Sequence, residues 1–453
     1  MPADPRAEFR ARFLRGGTHS AAVAAHIAND HYERAHSSPS NTSNAKHAVP
    51  RPTGQLIRLL AYRGPVTTRA ATPRQARIAV SALFFINGAL IASVLPRLPA
   101  IKSKLELSNA ALGLGIAAGP AGALLASTVA GLLIARFGSG RLAVAASAVY
   151  GIALSLVGLA PVWAAFAAAV FLYGICDGVA DVAQNAHGLR VQRAYGRSVI
   201  NGFHAWWSIG GVAGGATAAA AAALNVPLAI HLGVVGVVLA LAALVAGRWT
   251  LRGADPGRNE LSATGRRRRL PILALGGVAA LTLLAAVVED VPGSWGAVYL
   301  RDEVGTSAGL AALAFAAFTA GMTGGRLVAD RAVDQWGHVN VVRTGALIAV
   351  LGLSAALLVG SPVAGLIGFG LVGVGASPAF PALFHAAGHR PGVRPADGVA
   401  LVSLAARAGF LVAPPAVGLV ADATSLTWAV ALGAVAALAV LAGASALRTR
   451  DDS

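Results

Sequence analysis

From Ile78 onward, apolar stretches of about 20 residues recur along the chain, separated by short polar joints. Each is long enough to cross, as a helix, a hydrocarbon core about 30 Å thick. The pattern predicts twelve spans, at residues 77–97, 109–135, 141–160, 162–187, 198–224, 226–247, 271–293, 306–329, 339–360, 362–387, 397–421 and 425–447. Several joints are tight, at Ala160-Pro161, Asn225-Val226-Pro227, Ser361-Pro362 and Thr424-Ser425, and joints this short make helical hairpins. The longest connection, 248–270, divides the spans six and six. The predicted fold class is an all-α membrane protein, with a six-helix bundle at 77–247 and another at 271–447, followed by a short tail at 448–453.

Composition agrees. Hydrophobic residues make up 56% of the chain and charged residues only 12%, against about 25% charge in soluble domains. A water-soluble fold would leave much of this apolar surface uncovered, which excludes the ordinary soluble classes. The 54 glycines suit close approach of membrane helices. A single cysteine, Cys176, allows no internal disulfide and no thiolate metal cage.

The net charge of +17 raises the question of nucleic acid, and its distribution answers it. No basic patch is interleaved with aromatics. The loops at 136–141, 188–197, 248–270, 326–343 and 388–396 together hold 17 Lys and Arg, whereas the opposite loops hold four: Arg97, Lys102, Lys104 and Arg301. Loops rich in Lys and Arg stay cytoplasmic. Both termini and the 248–270 linker, with its Arg266-Arg-Arg-Arg269 run, are therefore expected in the cytoplasm.

Residues 1–76 read differently, as a basic, disordered arm with no apolar run able to span and no signal-peptide core. Five of the eleven histidines fall here, His19, His26, His31, His36 and His47, and their scatter favours solvated side chains over a metal site. The arm also fits an over-extended reading frame, with Val66 at the natural start.

The two sets of six spans echo each other. Leu95-Pro96 matches Val291-Pro292, Leu107-Ser108 matches Gly305-Thr306 as helix caps, and Gly131-Leu-Leu-Ile-Ala-Arg-Phe-Gly138 parallels Gly325-Arg-Leu-Val-Ala-Asp-Arg331. Duplicated halves are the architecture of many secondary transporters, with the substrate site between them near the midplane. The glycine-led Asp-Arg loop after spans 2 and 8 resembles the signature loop of the major facilitator superfamily. The second copy is fuller, with Gly325, Asp330, Arg331 and Gly337. The first has Gly131, Arg136 and Arg141 but places Ala135 where the aspartate belongs. The stretches Asp181-Val-Ala-Gln-Asn-Ala186, Asn201-Gly-Phe-His-Ala-Trp-Trp-Ser-Ile-Gly210 and Gly409-Phe-Leu-Val-Ala-Pro-Pro415 are similar to a bacterial inner-membrane branch of that superfamily loosely related to sugar permeases. The resemblance covers about residues 77–447. It implies a bacterial plasma-membrane protein that works by alternating access, with gates at the two loops. Span 5 lacks the Gly-Pro pair of the superfamily's drug/proton antiporters, which argues against a drug exporter.

An ionisable side chain inside a span is costly, so each is a functional candidate. Span 4 carries Tyr173, Asp177, Asp181 and Asn185 at i, i+4 spacing, on one face. These form either a proton or substrate site or hydrogen bonds to neighbouring helices. Glu289-Asp290 in span 7 precede Pro292-Gly293, which permit a broken helix lining a cavity; the alternative places both acids in the outer headgroup zone. Arg407 lies near the middle of span 11 and needs a carboxylate partner, for which Asp177, Asp181 and Glu289 are available, in a coupling pair or a structural one. Asn87 in span 1 could bind a ligand or a neighbouring helix. His204, Trp206 and Trp207 open span 5, where an interfacial aromatic belt is favoured over sugar stacking. His385 is placed at the interface, and Cys176 in packing.

Nothing points to catalysis. There is no glycine-rich phosphate loop with Lys, no nucleophile elbow with a triad, and no metal-ligand pair at helical spacing. The expected protein is a secondary active transporter of a small solute, coupled to protons, with no cofactor and no nucleic-acid partner. The alternatives are a passive facilitator or a non-transporting receptor on the same fold. A multipass membrane enzyme would need a clustered polar site at the interface.

Overall fold

The computed structural model describes residues 71–253 and 272–448. Most of the N-terminal arm, its histidines, Val66 and most of the arginine-rich linker lie outside the described residues. Ten helices among the described residues are long and apolar enough to cross a membrane: α1 Pro73–Lys104, α2 Asn109–Phe137, α3 Ser139–Leu159, α4 Trp163–Tyr195, α6 Leu228–Trp249, α7 Leu275–Glu303, α8 Ala308–Val359, α9 Pro362–Gly388, α10 Asp397–Ala423 and α11 Leu426–Leu447. Between α4 and α6 runs α5, Ile200–Ala223, rich in glycine and alanine and carrying Asn201, His204 and Ser208. Those small and polar residues keep α5 outside the ten.

The helices begin where polar side chains can cap them. Thr72 and Gln75 form a capping box at α1. Ser108, Ser361 and Ser425 accept from Ala111, Ala364 and Trp428 amides. At α8 the cap is Ser307, accepting from Leu310 N at 3.3 Å. Thr306, expected in that role, instead donates its hydroxyl to the Leu300 carbonyl.

Helix α8 is 52 residues long and contains one non-helical residue, Gly337, with φ 73° and ψ 159°. Gly138, between α2 and α3, has nearly the same backbone, φ 83° and ψ 145°. Both are left-handed φ values that glycine adopts without strain. Helix α7 departs from the sequence reading in the other direction. The Pro292-Gly293 pair does not end it: Val291–Trp295 and Tyr299–Glu303 are π-helical turns that carry the helix onward. Glu289 and Asp290 therefore lie midway along α7, not at its end.

Within residues 71–253, α1 packs on α5, α2 on α4, and α3 on α4 and α6; within 272–448, α7 packs on α10 and α11, and α8 on α9 and α11. The two stretches meet where α2 packs on α10 and α5 on α8. Glycine makes such contacts possible. A Cβ on Gly113 would collide with the Pro414 carbonyl of α10, and one on Gly88 with the Trp207 carbonyl of α5. Large apolar side chains such as Leu132 and Leu358 remain exposed on the outer surfaces.

Two sets of polar contacts between the stretches lie at one end. Lys102 Nζ lies 2.7 Å from Asp302 Oδ2. Asp422 of α10 accepts from the Asn109 and Ala110 amides at the start of α2, at 2.9 and 2.8 Å. We call this the Lys102 end and the opposite one the Asp330 end.

Candidate functional site

Between the two stretches lies a cavity of about 500 Å³, lined by α1 to α5 on one side and by α7, α8 and α10 on the other. Its polar wall holds Tyr173, Asp177 and Asp181 from α4, Glu289, Asp290 and Ser294 from α7, Thr319 and Arg326 from α8, and Arg407 from α10. The i, i+4 spacing on α4 places its three side chains on the wall, as a helical face must. The π-helical turn beginning at Val291 changes the pitch of α7 directly after its acidic pair, and Glu289, Asp290 and Ser294 all line the cavity.

The carboxyls differ in their partners. Asp177 Oδ1 accepts from Asn87 Nδ2 at 2.9 Å, and Asn87 Oδ1 accepts from Trp207 Nε1 at 2.8 Å. One buried amide thus ties α4 and α5 to α1. Asp181 Oδ1 accepts from Asn185 Nδ2, one turn along the same helix, at 2.9 Å. Asp290 Oδ1 accepts from Ser294 Oγ at 2.9 Å, and its Oδ2 is buried with no partner. Arg407 Nη1 donates to the Ala123 carbonyl of α2 at 3.0 Å. Among the described residues no carboxylate lies within ion-pair distance of Arg407, although its charge is felt at Asp177 and Asp181. The expected Arg407–carboxylate contact is thus replaced by a backbone one in the state described. Arg326 is the cation whose charge reaches Glu289.

Several readings of single residues change in the structure. Trp206 is 46% exposed, as an interfacial tryptophan would be, but Trp207 lines the cavity with its indole N–H on Asn87. His204 meets Phe84 edge-on, with centroids 5.1 Å apart. His385, placed at the interface by the sequence, stacks between His338 and His389, each centroid 4.2 Å away. Tyr173 meets Tyr150 edge-on at 4.4 Å. Cys176 is buried. Arg326, counted with the loop arginines, belongs to the cavity wall. The sequence carried a signal for this, since the predicted span 306–329 includes it.

The signature-loop residues sit at the Asp330 end. Arg136, Arg141, Asp330 and Arg331 are exposed and make no ion pair among the described residues. Gly325 is fixed by packing, since a Cβ there would strike Ser377 of α9, whereas a Cβ on Gly131 would meet nothing within 4 Å.

Comparison with known proteins gives a consistent picture. The model of the Major Facilitator Superfamily matches residues 278–453. An uncharacterized MFS-type transporter of Yersinia pestis is 36% identical over 370 residues, covering 80% of this chain and 93% of that one. An uncharacterized transporter of Sinorhizobium fredii is 32% identical, covering 77% and 91%. Among solved structures, the nucleoside transporter NupG superposes with a TM-score of 0.64 at 13% identity, covering 82% of this chain and 98% of that one.

Proposed function

The chain belongs to the major facilitator superfamily, and we propose that within it this multi-pass membrane protein is a proton-coupled secondary transporter of a small solute working by alternating access. In this reading α5 crosses the membrane as well, and α8 crosses twice, turning at Gly337, which gives twelve crossings. The bundles at 77–247 and 271–447 then rock about the cavity. Both termini and the arginine-rich linker face the cytoplasm of a bacterial inner membrane, so the Asp330 end is cytoplasmic and the Lys102 end external.

One observation carries the reading: a charged cavity whose opposite walls belong to the two stretches, with carboxyls on α4 and α7 and guanidiniums on α8 and α10. Rocking changes the distance between a carboxyl on one wall and a guanidinium on the other. A carboxyl withdrawn from water and from cations holds its proton, and an approaching guanidinium expels it. Proton release thereby becomes linked to the side on which the cavity opens. The contacts of Lys102 with Asp302 and of Asp422 with α2 fit a closed external gate, and Asp330 and Arg331, unpaired among the described residues, fit an open cytoplasmic one.

The test uses a single cysteine at the cavity wall, Thr319→Cys in a Cys176→Ala background. An impermeant thiol reagent is applied to right-side-out and to inside-out membrane vesicles at acidic and alkaline pH. The reading expects labelling from both sides, in proportions that change with pH. Labelling from one side only, at every pH, contradicts it.

A further inference from the structure

The cavity's donors and acceptors are unevenly distributed, and the imbalance bears on what it binds. Three of its neutral donors already have protein partners, since Trp207 Nε1 donates to Asn87, Ser294 Oγ to Asp290, and Thr319 Oγ1 to the Phe315 carbonyl, while the Tyr173 hydroxyl has none. No amide side chain occurs among the described lining residues, so the bidentate amide contacts that suit a neutral polyol are missing. The acceptors are in surplus. Four carboxyls, Asp177, Asp181, Glu289 and Asp290, face two guanidiniums, Arg326 and Arg407. Asp177 and Asp181 are each held by an asparagine. Asp290 lines the cavity at 8% exposure, and its Oδ2 is buried with no hydrogen-bond partner. A buried carboxylate oxygen with no donor is a strong demand for one.

The remaining wall is largely aliphatic, and Trp207, Phe315, Phe318 and Phe410 add aromatic rings to it. Ring faces carry negative potential and attract cations. An ammonium group supplies up to three donors and no acceptor, together with a positive charge, which suits a cavity whose carboxyls, when ionised, outnumber its guanidiniums four to two. A cavity of about 500 Å³ falls within the usual range for small-molecule sites.

We propose that the transported solute is a small organic cation, an amine whose ammonium group lies against Asp290 and Glu289 and whose body rests on the aromatic wall. This rests on the cavity being the transport site.

Thermal unfolding of the purified full chain tests it with two matched series. One is N-methylglucamine, sorbitol and gluconate; the other is benzyltrimethylammonium, benzyl alcohol and benzoate. At least one of the two cations should raise the melting temperature saturably, by about 5 °C at a hundredfold excess over Kd, while the neutral and anionic members leave it unchanged. Asp290→Asn should raise the half-saturating concentration about tenfold or more. Arg326→Gln should lower it, because it removes an opposing charge, and a gain of affinity cannot come from misfolding. Stabilisation by the neutral or anionic members alone overturns the cation assignment and leaves the transport reading intact. Stabilisation by no member of either series also overturns it, and the thiol labelling at Thr319→Cys then judges the transport reading separately.

Discussion

Asn87 Nδ2 donates to Asp177 Oδ1 at 2.9 Å across 90 residues of sequence. Its amide oxygen is occupied by Trp207 Nε1 at the same time, so one side chain with 3% exposure fixes the relative position of three helices. Asn87→Ala would leave a buried carboxylate oxygen and a buried indole N–H without partners, each costing about 1–3 kcal/mol. The melting temperature of the purified protein should fall by several degrees, as a thermal unfolding curve will show. Trp207→Phe in the same background should add little, because the bond it would remove is already lost.

The proposed external gate offers a second test. The Asp422 carboxylate receives both amides that open α2, a charge-assisted cap at the positive end of a helix dipole. At so exposed a position this is worth about 1 kcal/mol, or about fivefold in population. Asp422→Asn should therefore increase thiol labelling of Thr319→Cys from the external side by about that factor. Unchanged labelling would show that the contact does not hold the gate.

At the Asp330 end the expectation runs in the opposite sense. The latch is open in the state described, so Asp330→Asn should leave this state unaffected and weaken the one in which the cytoplasmic gate closes. External labelling of Thr319→Cys should drop several-fold. Because Ala135 replaces the aspartate of the first copy, Arg136→Gln should have a smaller effect than Asp330→Asn on the same measurement.

Much of the helical layout was legible because membrane-length apolar runs are hard to mistake. The α4 face was legible too, since i, i+4 spacing is independent of tertiary packing. The length of α7 was not. Pro292-Gly293 normally interrupts a helix, and a π-helical turn that absorbs them leaves no mark in hydrophobicity, so Glu289 and Asp290 read either as cavity residues beside a broken helix or as headgroup residues. Trp207 was hidden by its neighbour Trp206: two adjacent tryptophans at a span start suggest an interface, and only the pairing of α1 with α5 turns one of them inward. Asp422 gave no signal, because its partners are backbone amides of a distant helix start. The Arg407 contact was missed for the same reason, the Ala123 carbonyl being invisible in sequence.

The carboxyls differ in their partners. Glu289 makes no hydrogen bond among the described residues and lies within the field of Arg326, whereas Asp177 is engaged by Asn87. Glu289→Gln should abolish uphill accumulation of the solute in vesicles under an imposed pH gradient, while downhill exchange persists at a raised half-saturating concentration. Asp177→Asn should retain accumulation, reduced by its disturbed bond to Asn87. If both variants concentrate solute like the parent, coupling does not pass through either carboxyl.

The central claim is that proton exchange in the cavity switches which end of the protein is closed. Distances between paired spin labels test it most directly. One pair is placed across the Lys102 end, at Ser103 and Thr424, and one across the Asp330 end, at Arg197 and Gln335, all exposed positions, in a Cys176→Ala background. As pH is varied in lipid nanodiscs, the two distance distributions should shift in opposite directions, one pair separating as the other closes, and Glu289→Gln should suppress both shifts. Distributions that stay fixed across pH, or that widen and narrow together, would contradict the account.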